Sequence, residues 1–190
     1  NFFKTQNKTT LSNIEEILYV INEASFEQIQ PLFQNIVKKS QISKNFLCEI
    51  AENLLNSSIV LVENSSSNKD EIIKIQIEAL EILSKNNWTR SSASAIAFFN
   101  SSKKEFDKNT ITEQQMIFII ESLINISPIE SISPLVSYLV ELNSLTEMGK
   151  SVSIPVVEAV IKTLGAIGNK SAFDSLLGVT YLNYPESVLS

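Results

Sequence analysis

Histidine is missing from the 190-residue sequence, and cysteine occurs once, at Cys48. The absence of histidine removes the residue most often used as a general base near neutral pH and as a metal ligand. A single cysteine excludes an intramolecular disulfide. Because Cys48 lies in the apolar helical pattern FLCEIAENLL, we expect a small buried side chain rather than a reactive thiol.

Arginine, glycine and proline are also scarce. Arg90 is the only arginine, and the formal net charge is −6. Because the neutralisation of phosphates supplies most of the affinity of a nucleic-acid binder, this composition disfavours nucleic acid as a partner. Only 4 Gly and 5 Pro occur, which disfavours an all-β fold with many tight turns.

Long hydrophobic runs and catalytic motifs are absent from the sequence. No run of about 18 apolar residues occurs, so we expect no membrane span. The phosphate-loop, dinucleotide-binding, nucleophile-elbow, CxxC and HExxH motifs are all missing. We therefore expect no catalytic residues, no cofactor and no metal, and we expect that the protein is not an enzyme.

Apolar residues recur at the spacing of amphipathic helices through most of the chain. The first such pattern covers 11–21. The second covers 26–39 and contains Pro31, which predicts a kinked helix or a later start. The β-branched stretch SSIVLVEN at 57–64 predicts a short helix or an irregular segment, and the polar stretch SSKKEFDKN at 101–109 predicts a loop.

Three of the helical patterns align with one another without gaps. Leu80, Leu123 and Leu164 share one column and are 43 and 41 residues apart. The columns seven before, three before and three after this leucine are also apolar, which defines one stripe of a helix. They contain Ile73, Met116, Val157, Ile77, Ile120, Ile161, Leu83, Ile126 and Ile167. A period of about 40 residues with two helices per unit is typical of HEAT-type solenoids.

The segment PVVEAVIKTLGAIGNKSAFDSLL resembles the HEAT consensus, in which a helix with an Ala and a Leu-Gly pair precedes a unit that opens with an Ala and two Leu. The matching residues are Ala159, Leu164, Gly165, Gly168, Ala172, Leu176 and Leu177. The resemblance is clearest over 154–182, extends over 70–144 and weakens before 64. It implies an all-α fold, a right-handed α-α superhelix of antiparallel helix pairs with about nine or ten helices. Armadillo repeats and a non-repeating helical bundle are the alternatives.

We expect a single solenoid domain over 1–190 that is irregular at 1–64. The chain begins without Met and ends in YPESVLS, where a helix starts, so we expect a fragment of a longer protein. Frequent Ile, Ser, Asn and Lys indicate an AT-rich genome. These features fit a bacterial envelope protein without its leader, and a cytoplasmic scaffold fits almost as well.

The resemblance also implies a concave face, lined by the second helix of each unit, where partners bind. In this sequence, the columns two and six before the shared leucine and one after it should form that face. They contain Lys74, Glu78, Glu81, Ile117, Glu121, Ile124, Glu158 and Lys162, together with Gly165. Lys74–Glu78 and Glu158–Lys162 have the spacing of helical ion pairs. Ile117 and Ile124 are apolar among mostly polar neighbours, so we expect a protein or peptide to bind there.

A second candidate surface is formed by the links near 63–69, 101–110 and 145–153. These links are long and rich in Ser and Lys, and they should all lie along one edge. Two other functions also stay open. The chain is alternatively a structural spacer, or the non-catalytic part of a larger enzyme or ligand-binding protein.

Overall fold

A computed structural model describes residues 26–37, 42–64 and 69–189 of the chain. In these ranges the protein forms nine α-helices and no β-strand, which confirms the predicted all-α class. The helices are α1 (Phe26–Val37), α2 (Lys44–Asn64), α3 (Lys69–Lys85), α4 (Ser92–Asp107), α5 (Glu113–Ile126), α6 (Ile132–Glu147), α7 (Ile154–Ile167), α8 (Phe173–Val179) and α9 (Glu186–Leu189). The helical pattern predicted at 11–21 lies outside the described residues.

Two stretches of the first half differ in detail from the sequence-based expectation. Helix α1 begins at Phe26, so Pro31 lies inside it and does not mark its start. Residues 57–64 are not a separate segment but the last turns of α2. There, Val62 is buried in the core and the Ser58 hydroxyl donates to the Leu55 carbonyl at 2.9 Å. The β-branched residues of this stretch have a weaker helix propensity, but burial of one face of the helix and the hydrogen bond of the Ser58 hydroxyl within the helix keep them helical.

The loop predicted at 101–109 is wrong, because α4 continues to Asp107. Ser101 and Ser102 are buried on this helix, and Phe106 packs against the core. Glu105 is only 3% exposed and is held by interactions with two lysines. Tertiary burial therefore overrides the polar composition of the segment. The links that remain, 108–112 and 148–153, are shorter than predicted, which weakens the case for a binding surface made of loops.

Helix ends follow local sequence signals. At the start of α5, the Gln115 backbone N–H donates to Thr112 Oγ1 at 3.2 Å, and the Thr112 N–H donates to Gln115 Oε1 at 2.8 Å, which is a capping box. At the start of α7, the Val156 backbone N–H donates to Ser153 Oγ at 3.3 Å, and Pro155 lies in the first turn. Helix α7 ends at Gly168, whose φ of 68° is a left-handed conformation that glycine adopts without strain.

The helices pack in a regular order. Contacts join the consecutive pairs α1 and α2, α2 and α3, α4 and α5, and α6 and α7. Contacts also join alternate helices: α2 with α4, α3 with α5, α5 with α7, α6 with α8, and α7 with α9. Between α4 and α6, the rings of Phe99 and Tyr138 meet edge to face with centroids 5.7 Å apart. Each helix in the middle of the chain therefore has neighbours on several sides.

Polar contacts fix the links to the helices beside them. The Trp88 indole Nε1–H, in the link between α3 and α4, donates to Glu52 of α2 at 2.9 Å. The Arg90 guanidinium lies 5.0 Å from the Trp88 ring centroid and pairs with Glu49 and Glu52. Trp88 also packs against the hydrophobic core. Trp88 is therefore a packing residue that polar contacts hold in place.

Glu105 is a second anchor. Lys108 Nζ donates to its Oε1 at 2.8 Å, and Lys69 Nζ, at the start of α3, lies 3.5 Å from its Oε2. Its backbone carbonyl accepts from the N–H groups of Thr110 and Ile111. Burial alone would raise the pKa of the Glu105 carboxyl, but the hydrogen bonds and charges of the two lysines outweigh burial and lower it below the ordinary value of 4.5.

We predict that Glu105→Gln lowers the free energy of unfolding by about 1 to 3 kcal/mol at neutral pH, because the buried charge-assisted hydrogen bonds are lost. A lowered folded-state pKa stabilises the fold above the unfolded pKa, and this stabilisation is lost as the pH falls through the folded value. The gap between wild type and variant should therefore close in acid. Urea unfolding of both proteins at several pH values from neutral to acidic measures this difference in the free energy of unfolding. Exposed Glu147→Gln is the control, and a gap that is independent of pH would contradict the assignment.

Candidate interaction surface

The nine residues of the three predicted columns lie on α3, α5 and α7, and none of them is buried. Lys74, Glu121, Lys162 and Gly165 are exposed, whereas Glu78, Glu81, Ile117, Ile124 and Glu158 are half-buried. The shared leucines of the same helices, Leu80, Leu123 and Leu164, are at most 1% exposed. We call the surface formed by the nine residues the α3–α5–α7 face.

Two hydrogen bonds fix how the three helices are aligned. Asn125 Nδ2 on α5 donates to Ser84 Oγ on α3 at 3.1 Å. At the other end of α5, the Ser153 hydroxyl that caps α7 donates to Glu113 Oε2 at 2.7 Å. These pairs are 41 and 40 residues apart, close to the offsets of the leucine column. Helix α5 also contacts both α3 and α7, so the three helices that carry the predicted columns are neighbours.

The charges on the α3–α5–α7 face are partly paired. Lys162 Nζ lies 3.7 Å from Glu158 Oε2, as the sequence spacing predicts. The expected pair of Lys74 and Glu78 does not form within the described part of the chain; instead, Glu81 pairs with Lys85 one turn further along α3. Exposed pairs of this kind contribute little to stability, about 0.2 to 0.5 kcal/mol each.

Lys74 forms no ion pair among the described residues, and neither do the carboxylates Glu78 and Glu121. The two carboxylates occupy the same column on adjacent helices. Glu121 lies one turn from Ile117 on one side and one turn from Ile124 on the other, so the central stripe of the face alternates apolar, acidic and apolar. Ile117 packs with one side against the core and keeps the other accessible. A partly apolar stripe between charged rims is the composition of many protein-binding surfaces.

Gly165 is the smallest residue of the α3–α5–α7 face. It lies in α7 and is exposed, and a Cβ atom added to it would meet nothing within 4 Å. Its φ is not in the left-handed region, so the backbone does not require glycine. Glycine inside a helix costs about 0.5 to 1 kcal/mol relative to alanine. Neither packing against the described residues nor backbone geometry therefore accounts for this glycine.

Apolar side chains are also exposed at the other end of the chain. Phe173 and Leu177 lie one turn apart on α8, and Tyr181 follows two residues after the helix ends. Their exposed fractions are 62%, 41% and 80%. The sequence pattern predicts no binding role for these residues. Their spacing of four residues was the available signal, but spacing alone does not reveal whether another helix covers such a stripe.

The described ranges also bear on three further features, namely a metal site, a membrane span and a reactive thiol. No group of three His, Cys, Asp or Glu side chains in them could hold a metal ion. No helix of residues 26–37, 42–64 and 69–189 is long and apolar enough to span a membrane. Cys48 is fully buried on α2, and burial raises the pKa of its thiol despite the nearby Lys44. This environment suppresses the nucleophilic thiolate.

None of the known protein families, curated proteins or solved structures with which the chain was compared matches it.

We predict that Cys48 reacts with a thiol reagent only when the native protein opens, because the thiol is inaccessible and its pKa is raised. Labelling with an aromatic disulfide at mildly alkaline pH should be slow in buffer and stoichiometric in urea. The reaction of the same reagent with a small-molecule thiol is the control that shows the reagent is active. Rapid labelling in buffer would contradict the buried assignment.

Proposed function

We propose that this protein is a non-enzymatic interaction module, a HEAT-like α-solenoid that binds a protein or a peptide on the α3–α5–α7 face. In this proposal the antiparallel helix pairs follow one another in a right-handed superhelix, and the α3–α5–α7 face is its concave side. The resemblance of residues 154–182 to the HEAT consensus gives the handedness and the concavity. The observation that carries the function is the accessible stripe of Ile117, Glu121 and Ile124 in the middle of the face.

The distances in sequence between interacting residues support a repeated unit. The interhelical hydrogen bonds made by side chains of α2 to α8 and their links join residues that are 32 to 41 positions apart. The Phe99–Tyr138 ring contact falls in the same range. In a solenoid each unit contacts the next one, so that contacts concentrate near one repeat length.

The composition of the α3–α5–α7 face supports binding rather than solvation alone. Solvated helix stripes are usually polar throughout, as Lys74, Glu78 and Glu81 are on α3. The corresponding stripe of α5 instead carries two isoleucines that are two turns, about 10 Å, apart. Two accessible apolar groups separated by a charge provide anchor points for a partner, and the polar stripes of α3 and α7 provide the rim.

A structural spacer is the second candidate function, and the exposed side chains of α8 favour it. An outer unit of a solenoid needs a polar outer surface unless another unit packs on it. Phe173, Leu177 and Tyr181 give this end of the described chain an apolar surface instead. In a spacer, these residues would be the contact with a neighbouring unit, and the α3–α5–α7 face would bind nothing.

We predict that Ile124→Asp abolishes partner capture while the fold is retained, because the half-buried isoleucine is replaced by a charge at the centre of the face. Affinity capture from an extract of the cells that make the protein, followed by quantitative mass spectrometry, measures this. Circular dichroism and thermal unfolding verify that the variant is folded, since a buried charge would cause loss by unfolding.

Ile129→Asp is the matched control for this experiment. Ile129 is 73% exposed in the link between α5 and α6, so the same substitution is made outside the face. Wild type and Ile129→Asp should capture the same partner, and folded Ile124→Asp should not. Equal capture by all three proteins would reject the α3–α5–α7 face. Loss of capture with Phe173→Asp alone would favour the spacer.

A further inference from the structure

The central stripe of the α3–α5–α7 face has a specific order that bears on the chemistry of its partner. Along α5, exposed Glu121 lies between half-buried Ile117 and Ile124. Docking a purely apolar segment over both isoleucines would bury the carboxylate of Glu121 without a partner, which is costly. A segment that places a cation between two apolar groups satisfies all three residues together.

The neighbouring charges favour a cation as well. Glu158 and Glu81 already have lysine partners, Lys162 and Lys85, and these pairs are close to neutral. Glu78 on α3 shares the column of Glu121 and also lacks an ion-pair partner among the described residues, while Lys74, one turn away and likewise unpaired, offsets part of the charge of Glu78 but lies outside the column of Glu121. The stripe of α5 itself carries no basic residue. The net charge of the whole chain, −6, would attract a basic segment from a distance.

Gly165 supplies an independent reason to expect a closely bound partner at this place. Its column on α7 corresponds to that of Ile124 on α5, and the space beside it is empty. A helical glycine with open space allows another backbone to approach more closely than an alanine would. Among the described residues, no neighbouring side chain occupies the position of a Cβ atom here, so packing does not require glycine in place of the better helix former alanine.

From the order of the stripe, the unpaired carboxylates and the open glycine, we propose that the partner is a basic amphipathic segment. Two of its apolar side chains contact Ile117 and Ile124, and a lysine or arginine between them contacts Glu121 and Glu78. Its backbone passes beside Gly165. This proposal rests on the proposed function, because it specifies the chemistry of the ligand of the same face.

Three synthetic helical peptides of about 14 residues, roughly four turns, test the proposal. The first peptide presents Leu, Lys and Leu on one face at the spacing i, i+3 and i+7, with further lysines at its edges. The second has Glu in place of every Lys, and the third has Ser in place of the two Leu. Fluorescence anisotropy of each labelled peptide with the whole protein gives the affinities. The Lys peptide should bind about tenfold or more tightly than the other two at low ionic strength.

Charge variants of the protein provide the matched comparison. Glu78→Lys combined with Glu121→Lys should reverse the preference, so that the Glu peptide binds more tightly than the Lys peptide. Glu147→Lys, an exposed change on α6, should leave the preference as in wild type. Because the contacts are partly solvated, the advantage of the Lys peptide should shrink as salt rises from about 50 to about 300 mM. If the Lys peptide binds more tightly than the Glu peptide by the same factor in wild type and in the double variant, Glu78 and Glu121 do not contact the cation of the partner.

Gly165→Ala separates a role in binding from a role in folding. Alanine is the better helix former, so the variant should unfold at a higher temperature than wild type. If the partner passes close to Gly165, the same variant should bind the Lys peptide about threefold or more weakly, a change of roughly half a tenfold step in affinity. A variant that is more stable and binds equally well would overturn the close approach.

The outcomes distinguish the partner chemistry from the docking function. Equal binding of the Lys and Glu peptides, with loss of both in Ile124→Asp, would overturn the basic partner and leave the docking face intact. If none of the three peptides binds but capture from the extract still depends on Ile124, the basic partner is likewise overturned and the docking face is retained. If Ile124→Asp binds the peptides as tightly as wild type does, the assignment of the binding site to the α3–α5–α7 face is overturned. A dimer in sedimentation that Ile124→Asp dissociates would identify a second copy of the chain as the occupant.

Discussion

Helix α5 imposes the main constraint on this protein, because it is apolar on more than one side. Met116, Ile119, Ile120, Leu123 and Ile126 are all fully buried on a helix of only four turns. A helix of this kind is stable in water only when several neighbours cover it. Helices α3, α4 and α7 provide the cover. The order in which the other helices pack follows from the need to surround α5.

The same constraint determines which residues stay available for binding. Once α3, α4 and α7 cover α5, what remains accessible is a narrow stripe that contains Ile117, Glu121 and Ile124. The apolar residues of α5 thus include Ile117 and Ile124, which lie at the edge of its buried surface. In our proposal this edge is the docking site, so one helix contributes both to the core and to the function. The stability of the core holds the accessible isoleucines in fixed positions.

Polar anchors at the links keep the helices aligned. Glu105 joins the end of α4 to the start of α3, and Trp88 and Arg90 join the link after α3 to α2. None of these contacts lies on the α3–α5–α7 face. They matter for that face because stripes on three helices form one surface only when the helices neither slide nor rotate. Hydrogen bonds to charged groups have the directional geometry that such alignment requires, whereas apolar contacts do not.

The sequence by itself determined the all-α class and the buried leucine column, because an apolar period of 3.6 residues is a local property of the chain. It also determined that the nine residues of the three other columns on α3, α5 and α7 are not fully buried. Only the tertiary structure decided that 57–64 and 101–107 are helical, that Lys74 and Glu78 stay apart, and that α8 leaves Phe173 and Leu177 uncovered. These features depend on which distant residues bury a segment or neutralise its charge, and local propensity carries no information about such neighbours.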